Sequence, residues 1–144
     1  MTTKPTDFTV YHVQKNKHAQ SQKGNALVEF ALILPVFLML LFGVVTFSVA
    51  LYNKTVLTMA TREGARAGVK YVANRTDDII RSSARAAALQ VYQNNLISFG
   101  PEMTPNVTPA IQGNILTVTA NVNYTGLYIF SDFLISAQTS MRLE

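Results

Sequence analysis

Few residues in this chain have side chains suited to chemistry. After residue 73 the acids are Asp77, Asp78, Glu102, Asp132 and Glu144, and no histidine or cysteine accompanies them. A nucleophile needs a base within hydrogen-bond reach, and a metal centre needs several ligands at close spacing. His12 and His18 sit in a polar N-terminal stretch without a second ligand nearby, so both read as solvated. Glu102 and Asp132 could form an acid pair, but nothing in their spacing favours it. The sequence therefore predicts no enzyme, no metal and no cofactor. One carboxylate does need an explanation: Glu29, five residues after Gly24, directly precedes a long uncharged run. A charged side chain in the middle of a bilayer helix costs about 2.5–3.5 kcal/mol, and less near its end. By itself Glu29 reads as a boundary residue reaching toward headgroups.

The elements that must position Glu29 follow from the distribution of charge. Hydrophobic residues make up 49% of the chain and charged residues only 14%, well below the usual quarter for soluble domains. The imbalance is concentrated in residues 30–51 (FALILPVFLMLLFGVVTFSVAL), 22 positions without a charge. As a helix this run spans about 33 Å, enough to cross a hydrocarbon core. Pro35 lies inside it and predicts a kink, because its missing N–H frees one carbonyl. Residues 52–73 keep helical spacing without proline. Val56, Ala60, Ala67 and Tyr71 mark an apolar face, with small residues at Gly64 and Gly68. Arg62, Glu63, Arg66 and Lys70 are charged positions on the same helix. One helix is thus expected from about residue 25 to 73, its first half in membrane lipid and its second half outside.

A second amphipathic helix is expected after Thr76, a candidate N-cap followed by Asp77 and Asp78. Its stripe of Ile80, Ala84, Ala87, Ala88, Val91 and Tyr92 runs to about residue 97. Residues 98–114 contain Pro101, Pro105, Pro109, Gly100 and Gly113 and read as a loop, with a short edge strand near 107–111. Leu116, Val118, Ala120, Val122 and Tyr124 alternate with polar residues, as do Ile135, Ala137, Thr139, Met141 and Leu143. The fold class is therefore α+β: a long N-terminal transmembrane helix extending outside the membrane, a second amphipathic helix, and a small antiparallel sheet of two or three strands.

The polar residues 1–24 carry Lys4, Lys15, Lys17 and Lys23 against Asp7 and show no apolar periodicity, so they read as a disordered tail. A secretory signal peptide would have a shorter apolar run followed by its cleavage site. Here the distinctive residues come before the run, so the run is retained. The net charge of +4 comes without aromatic interleaving and argues against nucleic acid. Lysines and arginines flank both ends of the run, so charge alone does not orient it. Asn53, Asn74, Asn106 and Asn123 each begin an N-x-Thr sequon, which reads as chance.

Gly24-Asn25-Ala26-Leu27-Val28-Glu29-Phe30 resembles the type IV prepilin signal, in which a membrane aspartyl peptidase cuts after the glycine. Leu34-Pro35, the apolar run, Arg62-Glu63-Gly64-Ala65-Arg66-Ala67-Gly68 and the terminal Met141-Arg142-Leu143-Glu144 extend the likeness. Together these segments are similar to the TadE-like family of minor pilins, or pseudopilins, of tight-adherence (Flp-type) pilus systems. The resemblance implies a cytoplasmic leader at residues 1–24, a transmembrane and assembly helix at 25–52, and a periplasmic α+β domain at 53–144. It makes Gly24 and Asn25 the processing site, and Glu29 and Phe30 the residues of subunit pairing. Arg62, Glu63, Gly64, Arg66 and Gly68 become a helix-packing or interaction segment. The implied partners are a prepilin peptidase, the major Flp-type pilin and other minor pilins, the inner-membrane assembly platform and membrane lipid. The implied location is the bacterial inner membrane, single-pass with the N-terminus cytoplasmic, with incorporation into the pilus as a further option. Phe30 stands where tight-adherence major pilins carry tyrosine, and residues 25–144 are longer than those subunits; both point to a minor subunit. The alternative is an uncleaved, membrane-anchored binding module facing the periplasm.

Overall fold

The computed structural model describes residues 18–70, 76–127 and 133–143, with side chains from residue 24 onward. Tyr71, His12 and Asp132 lie outside the described residues, as do the side chain of His18 and the C-terminal Glu144. The elements run α1 (His18–Val69), α2 (Asp77–Tyr92), β1 (Asn106–Gln112), β2 (Ile115–Tyr124) and β3 (Phe133–Arg142). This is the α+β class expected, with three strands. The chain divides into two compact units, Met1–Leu38 and Met39–Glu144.

The described part of the first unit is helix. α1 begins at His18, inside the stretch that lacked apolar periodicity. Good helix formers such as Ala19, Gln20 and Gln22 extend a helix without needing an apolar stripe. Pro35 is accommodated within α1.

In the second unit, α1 and α2 cover one face of the sheet. Thr76 caps α2 in extended geometry and its hydroxyl accepts from the Ile79 N–H at 3.4 Å. Asp77 and Asp78 occupy the first turn, and Arg81 reaches each at 3.8 Å. These pairs are exposed and add little stability. α2 stops at Tyr92, about five residues short of the sequence expectation. The Asn95 side chain donates to the Val91 carbonyl, and the backbone of Ile97 pairs with Asn53, so the apolar residues Leu96 and Ile97 leave the helical path.

The sheet order is β1-β2-β3, antiparallel throughout. Gln112 pairs with Ile115 across a two-residue turn in which Gly113 takes φ of 58°, the left-handed geometry such hairpins need. Pro109, which cannot donate to a ladder, lies on the edge strand. Val107, Leu116, Val118, Ala120, Val122, Tyr124, Ile135 and Ala137 point inward, the phase the alternation predicted. They pack with Leu57, Ala60 and Ala65 of α1 and Ile80, Ala84 and Ala88 of α2 in one core. The helices contribute mostly alanine and glycine to this core, which lets their backbones come close. The packing also reaches back into the uncharged run, because Ala50 belongs to the core and Thr46 is buried.

Candidate membrane helix and assembly segment

Each residue from Gly24 to Leu41 is exposed. Of the most apolar stretch of α1, only 6% is buried within the chain. A core helix of a soluble protein would be mostly buried, whereas this one leaves Leu32 72%, Leu27 70% and Leu40 66% exposed. So large a continuous apolar surface needs lipid or other helices around it. α1 therefore fits a single-pass membrane anchor.

At the start of this surface, Gly24 has open space where a Cβ would stand. Asn25 and the adjacent pair Glu29 and Phe30 are exposed, about one turn of α1 apart. On a helix Glu29 shares a face with Asn25 one turn before it and Ile33 one turn after it. Glu29 makes no hydrogen bond or ion pair among the described residues.

The segment from Arg62 to Gly68 divides by direction. Arg62, Glu63 and Arg66 are exposed and form no ion pair among the described residues. Gly64 and Gly68 face inward. A Cβ on Gly64 would stand 2.7 Å from the Ala84 carbonyl oxygen and 3.2 Å from the Ala88 Cβ. A Cβ on Gly68 would overlap the Leu116 side chain and approach the Ala84 Cβ at 3.2 Å. The glycines thus set how closely α1 approaches α2 and β2.

Three polar residues of α1 that carried no expected role are buried. Asn53 is fully buried; its amide donates to the Ile97 carbonyl at 2.7 Å and its Oδ1 accepts from the Ile97 N–H at 3.0 Å. This pairing clasps the chain beyond α2 onto α1. The Thr46 carbonyl accepts from the Tyr124 hydroxyl at 3.3 Å, and its Oγ1 accepts from the Leu127 N–H at 3.4 Å. Thr61 and Thr139 hydroxyls lie 3.0 Å apart. Burial pushes the phenols of Tyr124 and Tyr92 above their ordinary value, with Arg85 partly opposing it at Tyr92. The available signal was spacing: Thr46, Ala50, Asn53, Leu57, Thr61 and Gly64 recur every three or four residues along one stripe.

The groove between α2 and β1 is lined by Asp78, Arg81, Ser82, Arg85, Ala86, Leu89 and Pro109, without a nucleophile–base pair. Among the described residues no group of histidine, cysteine and acid side chains is arranged to hold a metal. Glu102 lines two hollows, one shared with Tyr92 and one with Asn123.

Residues 24–66 match the family model described as TadE-like protein. The matched stretch begins at Gly24 and includes Glu29, the uncharged run and Arg62 to Arg66. No curated protein and no solved structure gave a match.

Proposed function

From its TadE-like segment at residues 24–66, we propose that this chain is a minor pilin-like subunit of a tight-adherence (Flp-type) pilus. A prepilin peptidase cuts after Gly24, leaving Asn25 as the new amino terminus. The cut needs an extended backbone at a position that is helical here. Glycine, about 1 kcal/mol poorer than alanine in a helix, makes local unwinding there inexpensive. Residues 1–24 form the cytoplasmic leader, and residues 53–144 face the periplasm.

Glu29 then carries the assembly step. Inside a bundle of apolar helices an unpaired carboxylate is strongly unfavourable, and an ammonium partner offsets that cost. The new amino terminus of a neighbouring subunit supplies this partner. A wrong register leaves both charges unpaired, so the same pair selects the correct axial position. Phe30 and the apolar surface beyond it provide helix-to-helix contact with the major pilin and other minor subunits. The observation that carries the reading is the exposed Glu29, without a partner among the described residues, at the head of an exposed apolar helix within the TadE-like match. Nothing in the inventory of side chains supports catalysis, and a structural role fits the family.

N-terminal sequencing of the membrane form tests the proposal directly. Co-expression with a prepilin peptidase should yield a chain beginning at Asn25. A chain still beginning at Met1 under those conditions would refute processing and favour an uncleaved, membrane-anchored binding module.

A further inference from the structure

Within the second unit an apolar groove of ≈ 350 Å³ lies between α1 and the start of β3. Phe47, Leu51 and Lys54 line it from α1, and Phe133, Leu134 and Ile135 from β3. Leu134 and Phe47 are each 64% exposed, Leu51 50%. Leu134 is an apolar side chain at an outward position in a sheet whose outward positions are otherwise mostly threonine, serine, asparagine and glutamine, whereas Phe133, opposite Tyr124, has the inward phase yet stays partly exposed at the strand end.

The position of this groove along α1 is fixed by contacts. The Tyr124 hydroxyl donates to the Thr46 carbonyl, and the Leu127 N–H donates to Thr46 Oγ1. Tyr124 also meets Phe133 edge to face, with ring centroids 5.1 Å apart. The end of β2 and the beginning of β3 are therefore tied to the helix at the level of Thr46 to Leu51. Phe47 and Leu51 belong to the last turns of the uncharged run, and Lys54 is the first charge beyond it. From Phe47 to Leu51 the helix rises about 6 Å, so the groove stands at the end of the uncharged run, where a span of residues 30–51 would leave the hydrocarbon.

We propose that this groove is a phospholipid contact: Leu134 and Phe133 dip into the outer boundary of the bilayer beside Phe47 and Leu51, and Lys54 meets an anionic headgroup. Continuity identifies the occupant. The groove continues the exposed apolar surface of α1, and among the described residues that line it the charged side chain is a cation, Lys54. A lysine stem packs along apolar surface while its ammonium stays with the headgroups. Aromatic and aliphatic side chains at this depth hold the folded unit against the membrane instead of leaving it on a free stalk. The inference rests on α1 being a membrane anchor and is separate from processing at Gly24.

The chain contains no tryptophan, so one introduced indole reports alone. Leu134→Trp, Phe37→Trp and Gln138→Trp variants of the full chain are reconstituted in phosphatidylcholine–phosphatidylglycerol vesicles with lipids brominated near the headgroup or deep in the chains. Leu134→Trp should emit to the blue of Gln138→Trp and lose emission to the shallow quencher, while Phe37→Trp loses emission to the deep one. Phe37→Trp quenched with Leu134→Trp behaving like Gln138→Trp would overturn the lipid contact and leave the anchor standing. Phe37→Trp unquenched would overturn both. A blue-shifted Leu134→Trp that no brominated lipid quenches means protein covers the groove, which also refutes the proposal. Brominating phosphatidylglycerol instead of phosphatidylcholine should deepen quenching of Leu134→Trp, and Lys54→Gln should weaken that preference about fivefold. An unchanged preference would refute the role of Lys54.

Discussion

Replacing Gly64 by alanine places a methyl group where α1 lies close against the α2 backbone. The new Cβ would stand 2.7 Å from the Ala84 carbonyl oxygen, 3.2 Å from the Ala88 Cβ and 3.5 Å from Val118 Cγ1. Two effects oppose each other. Alanine is favoured over glycine in a helix by about 1 kcal/mol. Overpacking a filled core costs about 1–3 kcal/mol. The nearest atom is backbone, so relief requires α2 itself to move, and Ala88 and Val118 are buried behind it. The upper half of that range therefore applies, for a net loss of about 1–2 kcal/mol. In a unit of this size each kcal/mol lowers the midpoint by about 4–8 °C. The assay is thermal unfolding of the full chain in micelles, followed by near-ultraviolet dichroism of its tyrosines. Gly24→Ala serves as control, because its Cβ meets nothing within 4 Å and should leave the midpoint of the second unit unchanged. Gly64→Ala as stable as the parent would refute the close approach of α1 and α2.

Three further outcomes follow from named contacts. Asn53→Ala removes two hydrogen bonds and part of a fully buried side chain, and should cost about 2–3 kcal/mol with faster amide exchange at Ile97; protection unchanged there would rule out the clasp. Tyr124 is held protonated more strongly when folded than unfolded, so its contribution is complete below the ordinary phenol value of about 10 and is lost as pH rises through the higher folded value. Tyr124→Phe should therefore flatten the fall in stability above pH ~10 relative to the parent, as read in alkaline denaturation; an equally steep fall would remove Tyr124 as its source. Glu29→Ala should leave cleavage after Gly24 largely intact yet block incorporation into fibres, measured by immunoblotting sheared pili; normal incorporation would remove the pairing role of the carboxylate.

Much of the fold was legible because it depends on neighbours in sequence. Apolar positions two apart in residues 116–124 dictate a half-buried strand, and the inward phase of Val118 and Val122 follows without knowing what they touch. The length of the uncharged run fits a membrane anchor because backbone groups in lipid must bond within their own helix. The resemblance, carried by Gly24 to Gly68 and by the terminal Met141 to Glu144, rested on residue order, and the family match covers residues 24–66 of it. Less legible was the end of α2. Leu96 and Ile97 continue an apolar pattern, yet a partner 44 residues away in sequence takes the Ile97 backbone.

By itself, then, the sequence determined an apolar anchor headed by Gly24 and Glu29, two helices and an alternating sheet. Those are local properties, set by side-chain spacing and by the cost of charge in hydrocarbon. Only the tertiary structure decided that Gly64 and Gly68 serve packing within the chain while Arg62, Glu63 and Arg66 remain outside. It alone showed that Thr46, Ala50 and Asn53, which look like the end of a span and a chance sequon, are where the folded unit is fastened to its helix. Contacts such as Thr46 with Tyr124, 78 residues apart, depend on which surfaces meet when the core closes, and no spacing in the chain encodes that meeting directly.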